Sequence, residues 1–184
     1  MNYQFSDFYK RDVSFVFDDE NDIDFSTLNE GKKIQFASPF LYTVDKIDSY
    51  INSYDLLPTI GLPLVSEKFR DTFLDLTKSQ IEFIPVIIRD DKQNKNTNFL
   101  ALNILNVISC MDEEKSITEK TRYGTLKIKK LHFIKGALKN MDIVRMEEHK
   151  SYIIVTEVFK NKCEKANLKG INFIEEGHSI YTDV

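Results

Sequence analysis

Cysteine is nearly missing from this chain. Cys110 and Cys163 are the two present, too few for a disulfide framework, and their settings read as a strand end and a helix core face, so both are expected to be reduced and structural. Histidine is almost as scarce. His132, His149 and His178 fall in no HxH or HExxH spacing, no CxxC occurs, and no glycine-rich phosphate loop is present, so neither a metal nor a cofactor is expected. Six glycines, four prolines and no tryptophan exclude collagen-like and low-complexity classes. A long apolar run is missing too: FLALNILNVISCM, residues 99–111, contains Asn103 and Asn106 and is shorter than the roughly 18 residues a membrane helix needs. The start, MNYQFSDFYKRDVSF, lacks a basic segment followed by a continuous apolar one, so it does not read as a signal peptide and a cytoplasmic location is expected.

Aromatic and charged residues fill the gap. Fourteen Phe and eight Tyr in 184 residues, with 42% hydrophobic content, are enough to bury the core of a single domain spanning residues 1–184. The net charge of −4 is unevenly spread. Residues 1–60, a β-rich acidic part, carry eleven acids and five bases, whereas residues 115–139 carry eight bases and one acid. Such polarity reads either as solvated faces or as an electrostatically sided molecule whose acidic end favours a basic partner.

The organising pattern is a pair of similar stretches. LPLVSEKFRDTFLDLTKSQIEFIPV, residues 62–86, is echoed by YIIVTEVFKNKCEKANLKGINFIEE, residues 152–176, with six identities and a Ser66 to Thr156 replacement. Each reads strand, helix, strand. The hydroxyl of Ser66 or Thr156 suits an N-cap, and Glu67 or Glu157 suits the positive end of the helix dipole. Phe69, Phe73 and Leu76, and Phe159, Cys163 and Ala166, stand at the spacing of one buried helix face. The fold class is therefore α+β, a mixed sheet with two strand–helix–strand units and few helices, and each crossover suggests a parallel pairing of its two strands.

Elsewhere, residues 3–9, 13–17, 32–36 (KKIQF) and 39–44 (PFLYTV) read as strands, and the approach over 47–63 as irregular. Residues 99–110 read as one long central strand with apolar faces, Asn103 on one and Asn106 on the other, either satisfying loop backbone or lining a site. GTLKIKKLHF reads as a strand bulged at Lys129 and Lys130, KGALKN as a turn of helix, and DIVRM and SYIIV as strands. The acidic run Asp18, Asp19, Glu20, Asp22, Asp24 lacks the glycine and the terminal glutamate of a calcium loop.

The words VSEKFRDTF, IEFIPVII, FLALNILNVISCMDEEKS, DIVRM and YIIVTEVFKNKCEKANLKGINF, in that order and spacing, resemble a bacterial family of polymorphic-toxin immunity proteins, the eleventh numbered immunity class, once a domain of unknown function. Val65, Ser66, Glu67, Phe83, Pro85, Asn103, Asn106, Val107, Asp112, Ser116, Arg145, Glu157, Gly170 and Phe173 carry the match, which makes 61–176 the family-like core. Thr156, where serine is usual, departs from the pattern, and the N-terminal third matches weakly. The resemblance implies a non-enzymatic protein that binds and neutralises a cognate toxin domain by occlusion. It would act as a monomer or weak dimer, without nucleic acid or membrane. Candidate toxin-binding residues are Asp18, Asp19, Glu20, Asp22 and Asp24, with Asp112, Glu113 and Glu114 as a second patch. Two other classes remain open: an interaction module with no toxin partner, and a small hydrolase-type enzyme pairing Asp112 or Glu113 with His132 or His149. Lys127, Lys129 and Lys130 would serve a nucleic-acid binder, against which the overall acidity counts.

Overall fold

The computed structural model describes residues 1–122, 124 and 126–178. In chain order come β1 (Asn2–Asp7), β2 (Phe15–Phe17), β3 (Phe40–Val44), β4 (Leu56–Leu57), β5 (Thr59–Ile60) and β6 (Leu64–Ser66). The first helix, α1 (Glu67–Thr72), is followed by β7 (Ile81–Asp90), β8 (Lys95–Asn96), β9 (Phe99–Ile104) and β10 (Val107–Ile108). A hairpin of β11 (Ile117–Lys120) and β12 (Leu126–Lys130) leads to β13 (Ile143–Met146), β14 (Ile153–Thr156), α2 (Glu157–Lys165) and β15 (Ile171–Glu175). The coarse expectation of an α+β chain with a mixed sheet and few helices holds, with strand outweighing helix.

Two larger sheets hold all the strands except β11 and β12, which pair only with each other. One has the order β4-β6-β9-β7-β3-β2-β5, with β8 also on β7. Its two end strands, β4 and β5, are separated in sequence by Pro58 alone, so the sheet nearly closes on itself. The other has the order β10-β13-β14-β1-β15. β7 is long enough to serve two neighbours: Ile81–Pro85 pair with β9 and Val86–Asp90 with β3. At the closure Gly61 has φ +141°, and a Cβ there would stand 3.0 Å from the Phe17 Cβ and 3.1 Å from the Tyr42 hydroxyl, so only glycine fits. That hydroxyl accepts from the Leu62 amide and donates to the Leu62 carbonyl, both at 3.1 Å.

Strand alternation sorts the side chains into separate cores. Phe99 and Ala101 of β9, with Ile84, Val86 and Ile88 of β7, fill the inside of the nearly closed sheet. Leu102 and Ile104 of β9 and Ile81 of β7 face the other way, onto a cluster shared with Tyr3, Phe5, Ile143, Ile153 and Val155 of the second sheet. The helices add Phe69, Phe73, Phe159 and Cys163 to this shared cluster, where Phe73 and Phe159 stack at 4.1 Å. A third cluster, on the far face of the second sheet, joins Val144, Met146 and Ile154 to Ile128 and Leu131. Both cysteines are free and buried, and burial pushes each thiol up to about 12.

The two helices are capped alike at their starts. The Phe69 amide donates to Ser66 Oγ at 3.1 Å and the Phe159 amide to Thr156 Oγ1 at 3.3 Å, capping bonds of about 1 kcal/mol each. Each cap hydroxyl in turn donates to an aspartate, Ser66 to Asp55 at 2.5 Å and Thr156 to Asp142 at 2.9 Å. The backbone carbonyls of the same aspartates accept from the cap amides.

Several sequence expectations are corrected. The two strands of each unit are parallel but not neighbours, because an antiparallel strand lies between them: β9 between β6 and β7, and β1 between β14 and β15. The stretch 99–110 is not one strand. It breaks after Ile104, where the Leu105 amide donates to the Gln80 carbonyl, and resumes as β10 in the other sheet. Residues 32–36 form no strand, since side chains take their backbone groups: Lys32 O accepts from Asn103 and the Ile34 amide donates to Glu82. The region 47–63 holds the short strands β4 and β5. KGALKN forms turns, with Gly136 and Lys139 at positive φ, in place of helix. The first helix also ends early, at Thr72, and Leu76 is carried by a 3-10 segment, Leu74–Lys78. The bulge in the β11–β12 hairpin falls where it was expected, since Ile117 pairs with Lys130 and Thr118 with Ile128, leaving Lys129 extra.

Candidate functional site

The acidic run follows β2, whose Phe17 is anchored in the closed sheet. The loop is built by its own carboxylates. Asp18 accepts from the Glu20 amide at 2.8 Å, and Asp18 and Glu20 both meet Arg89 of β7, at 3.3 and 3.2 Å. Asp24 caps the 3-10 segment Phe25–Asn29, accepting from the Ser26 hydroxyl at 2.7 Å and the Ser26 amide at 2.8 Å. Those two bonds hold its carboxyl below the ordinary value. Asp18 is mostly covered, whereas Asp19, Glu20, Asp22 and Asp24 are exposed. This splits the candidates by role: Asp18 and Asp24 shape the loop, while Asp19, Glu20 and Asp22 face solvent.

The second patch lies elsewhere, past β10 and next to the β11–β12 hairpin. Asp112 is taken up locally, accepting from Lys115 Nζ at 2.7 Å and from the Lys115 amide at 3.2 Å, and the Lys115 side chain holds its carboxyl down. Glu113 and Glu114 are exposed. The two patches therefore belong to different parts of the fold, and no hydrogen bond or ion pair joins them among the described residues. The histidine pairings that a hydrolase would need are not formed by these acids. The His132 ring meets Glu176 at 3.3 Å and the His149 ring meets the Ser151 hydroxyl at 2.7 Å. Of the basic residues considered, Lys127 and Lys129 both pair with Glu119.

Asn103 and Asn106 satisfy loop backbone. The Asn103 amide donates to Lys32 O at 2.7 Å and to Glu82 Oε2 at 3.0 Å, tying down the 30–35 loop, and the Asn106 amide donates to Ser79 O at 3.0 Å.

One group that the sequence did not single out as a site is Arg145. It sits on β13 with Ile143, on the face turned toward the first sheet, and is 2% exposed. Its Nη1 donates to Lys150 O at 2.7 Å, while Nε and Nη2 have no partner among the described residues. Burial lowers its pKa to about 10, which leaves the guanidinium charged at neutral pH. Composition and periodicity held no signal for this, since an arginine in a strand is ordinarily placed at the surface; Arg145 stood out only as one of the residues that carry the family resemblance.

No helix of the described residues is long and apolar enough to cross a membrane. Among curated proteins, none matches this chain. The model of the Immunity protein family (Imm11) matches residues 10–178, which takes in every strand but β1, both helices and both acidic patches, and the chain belongs to that family of immunity proteins.

Proposed function

We propose that this protein binds a cognate bacterial toxin domain and neutralises it by physical occlusion, without catalysis, in the cytoplasm and as a monomer or weak dimer. Membership of the immunity family is the observation that carries the reading. The solvent-facing part of the acidic loop, Asp19, Glu20 and Asp22, supports a basic partner surface, because complementary fields speed encounter and reject wrong partners. The second patch, Glu113 and Glu114, would widen the contact. The two strand–helix–strand units, 62–86 and 152–176, read as similar units that serve as scaffold, and their matching caps support that likeness. Co-purification of the protein with the product of the adjacent toxin gene tests the function. A stoichiometric complex that abolishes toxin activity is expected. Activity that persists in a saturating excess of this protein would reject the reading.

A further inference from the structure

The five-stranded sheet ends on β15, which is bonded on one side alone, to β1. The ladder fixes which of its backbone groups are left over, because β1 must alternate between its two neighbours. The Glu157 amide donates to Met1 O at 2.9 Å, which continues the β14 register and assigns Tyr3 and Phe5 to β14. The Phe8 amide donates to Gly170 O at 2.9 Å, which continues the β15 register and assigns Gln4 to Ile174 and Ser6 to Asn172. The amides and carbonyls of Ile171, Phe173 and Glu175 therefore point away from β1. Among the described residues, the one bond they make is that of Glu175 O, which accepts from the His178 amide at 3.2 Å and keeps a second lone pair.

Open edges are ordinarily blunted by a charge or a proline, and residues 171–174, Ile-Asn-Phe-Ile, have neither. Ile171, Phe173 and Ile174 are half-buried and Asn172 is exposed. The Phe173 ring lies 6.2 Å from Tyr3 and 6.1 Å from Phe5, at the rim of the shared core.

We infer that β15 is a self-pairing edge, on which a second copy of this chain lays its own β15 antiparallel about a two-fold axis at Phe173. In that register Phe173 faces Phe173 of the second copy, and Ile171 of each copy faces Glu175 of the other. Every facing pair has its outward groups free to exchange both hydrogen bonds, so the open row of one copy is met by that of the other. Charge favours the antiparallel sense. Exposed Lys169, just before the strand, comes beside exposed Glu175 at the far end of the second copy, whereas a parallel copy would set Glu175 against Glu175. One five-residue strand per copy is a small contact, in the class of weak and transient interfaces, so the dimer forms at high concentration. The inference rests on the edge alone, whether or not the toxin reading holds.

Sedimentation equilibrium and amide hydrogen exchange of the full chain, from low micromolar to millimolar concentration, test it. Reversible dimerisation is expected, with the Ile171, Phe173 and Glu175 amides gaining protection as it proceeds. Asn172 supplies the variants, because its exposed side chain would lie diagonally across the axis from its counterpart. Asn172→Lys alone and Asn172→Asp alone should each dimerise several-fold more weakly, through like charges, at an unchanged thermal midpoint. Mixed in equal amounts, the two should associate at least as well as the parent. A parent that stays monomeric at millimolar concentration would overturn the inference, as would dimerisation that neither variant weakens or a mixture no better than its components. Full protection of those amides in the dilute monomer would also overturn it, since the chain itself would then cover the edge. A last sample adds the product of the adjacent toxin gene, and protection gained there alone would reassign the edge to the toxin.

Discussion

Asp90, the last residue of β7, shows how one carboxylate can hold a turn. It accepts from the amides of Lys92 and Asn94, at 3.0 and 2.9 Å, from the Asn94 side chain at 2.9 Å and from the Ile47 amide at 3.3 Å. The Asn94 side chain is the largest cause of a pKa held below the ordinary 3.8. A carboxyl depressed in the folded state contributes stability that is complete above the ordinary value and is lost as pH falls through the folded one. Asp90→Asn should therefore be less stable than the parent at neutral pH, and the gap should close as pH drops below 3.8. Denaturant unfolding across a pH series reads this directly. A gap that stays constant down to low pH would mean that the charge of Asp90 plays no part.

At the scale of elements, the two capped helices were the most legible part of the sequence. Ser66 and Thr156, each followed three residues later by a phenylalanine, fixed both starts, and Phe69 and Phe159 are fully buried. Phe69→Ala or Phe159→Ala should each cost on the order of 3 to 5 kcal/mol, through lost transfer energy and the cavity left behind. Equilibrium unfolding checks it, and a loss under about 1 kcal/mol for either ring would show that its site collapses without penalty. What the sequence concealed were the places where side chains outrank local propensity. Asn106 falls within the apolar run that begins with β9, yet its side chain donates to Ser79 O where the strand has ended. Lys32 to Phe36 have strand composition, but Asn103 and Glu82 claim their backbone. Such partners lie tens of residues away, beyond any window of local periodicity. Arg145 was hidden for a related reason: its face of β13 is decided by the packing of one sheet on another.

For the molecule as a whole, charge placement matters more than the net value of −4. Within the acidic loop, Asp18 and Asp24 are tied into local bonds, so replacing them would perturb the loop itself. Changing Asp19, Glu20 and Asp22 to Asn, Gln and Asn removes exposed charge and should leave stability nearly unchanged, since exposed pairs such as Glu20 with Arg89 contribute about 0–1 kcal/mol. If the loop steers a basic partner, the triple variant should associate more slowly and with a shallower salt dependence, at a nearly constant dissociation rate. Stopped-flow association across a salt series decides it. An unchanged rate and slope would remove the loop from the encounter surface.

The near-closure at Pro58 has a further effect on how the protein behaves among its own copies. A sheet ordinarily ends in a row of unpaired amides and carbonyls that another chain can extend. Here the two ends of the larger sheet are two residues long each and are successive in the chain, joined through a residue that has no amide hydrogen to offer. Growth by strand addition needs a longer template than that. The Phe-rich interior behind this seam, with Phe15, Phe17, Phe40 and Phe99, is thereby kept from offering these rings to a second copy through an open edge of this sheet.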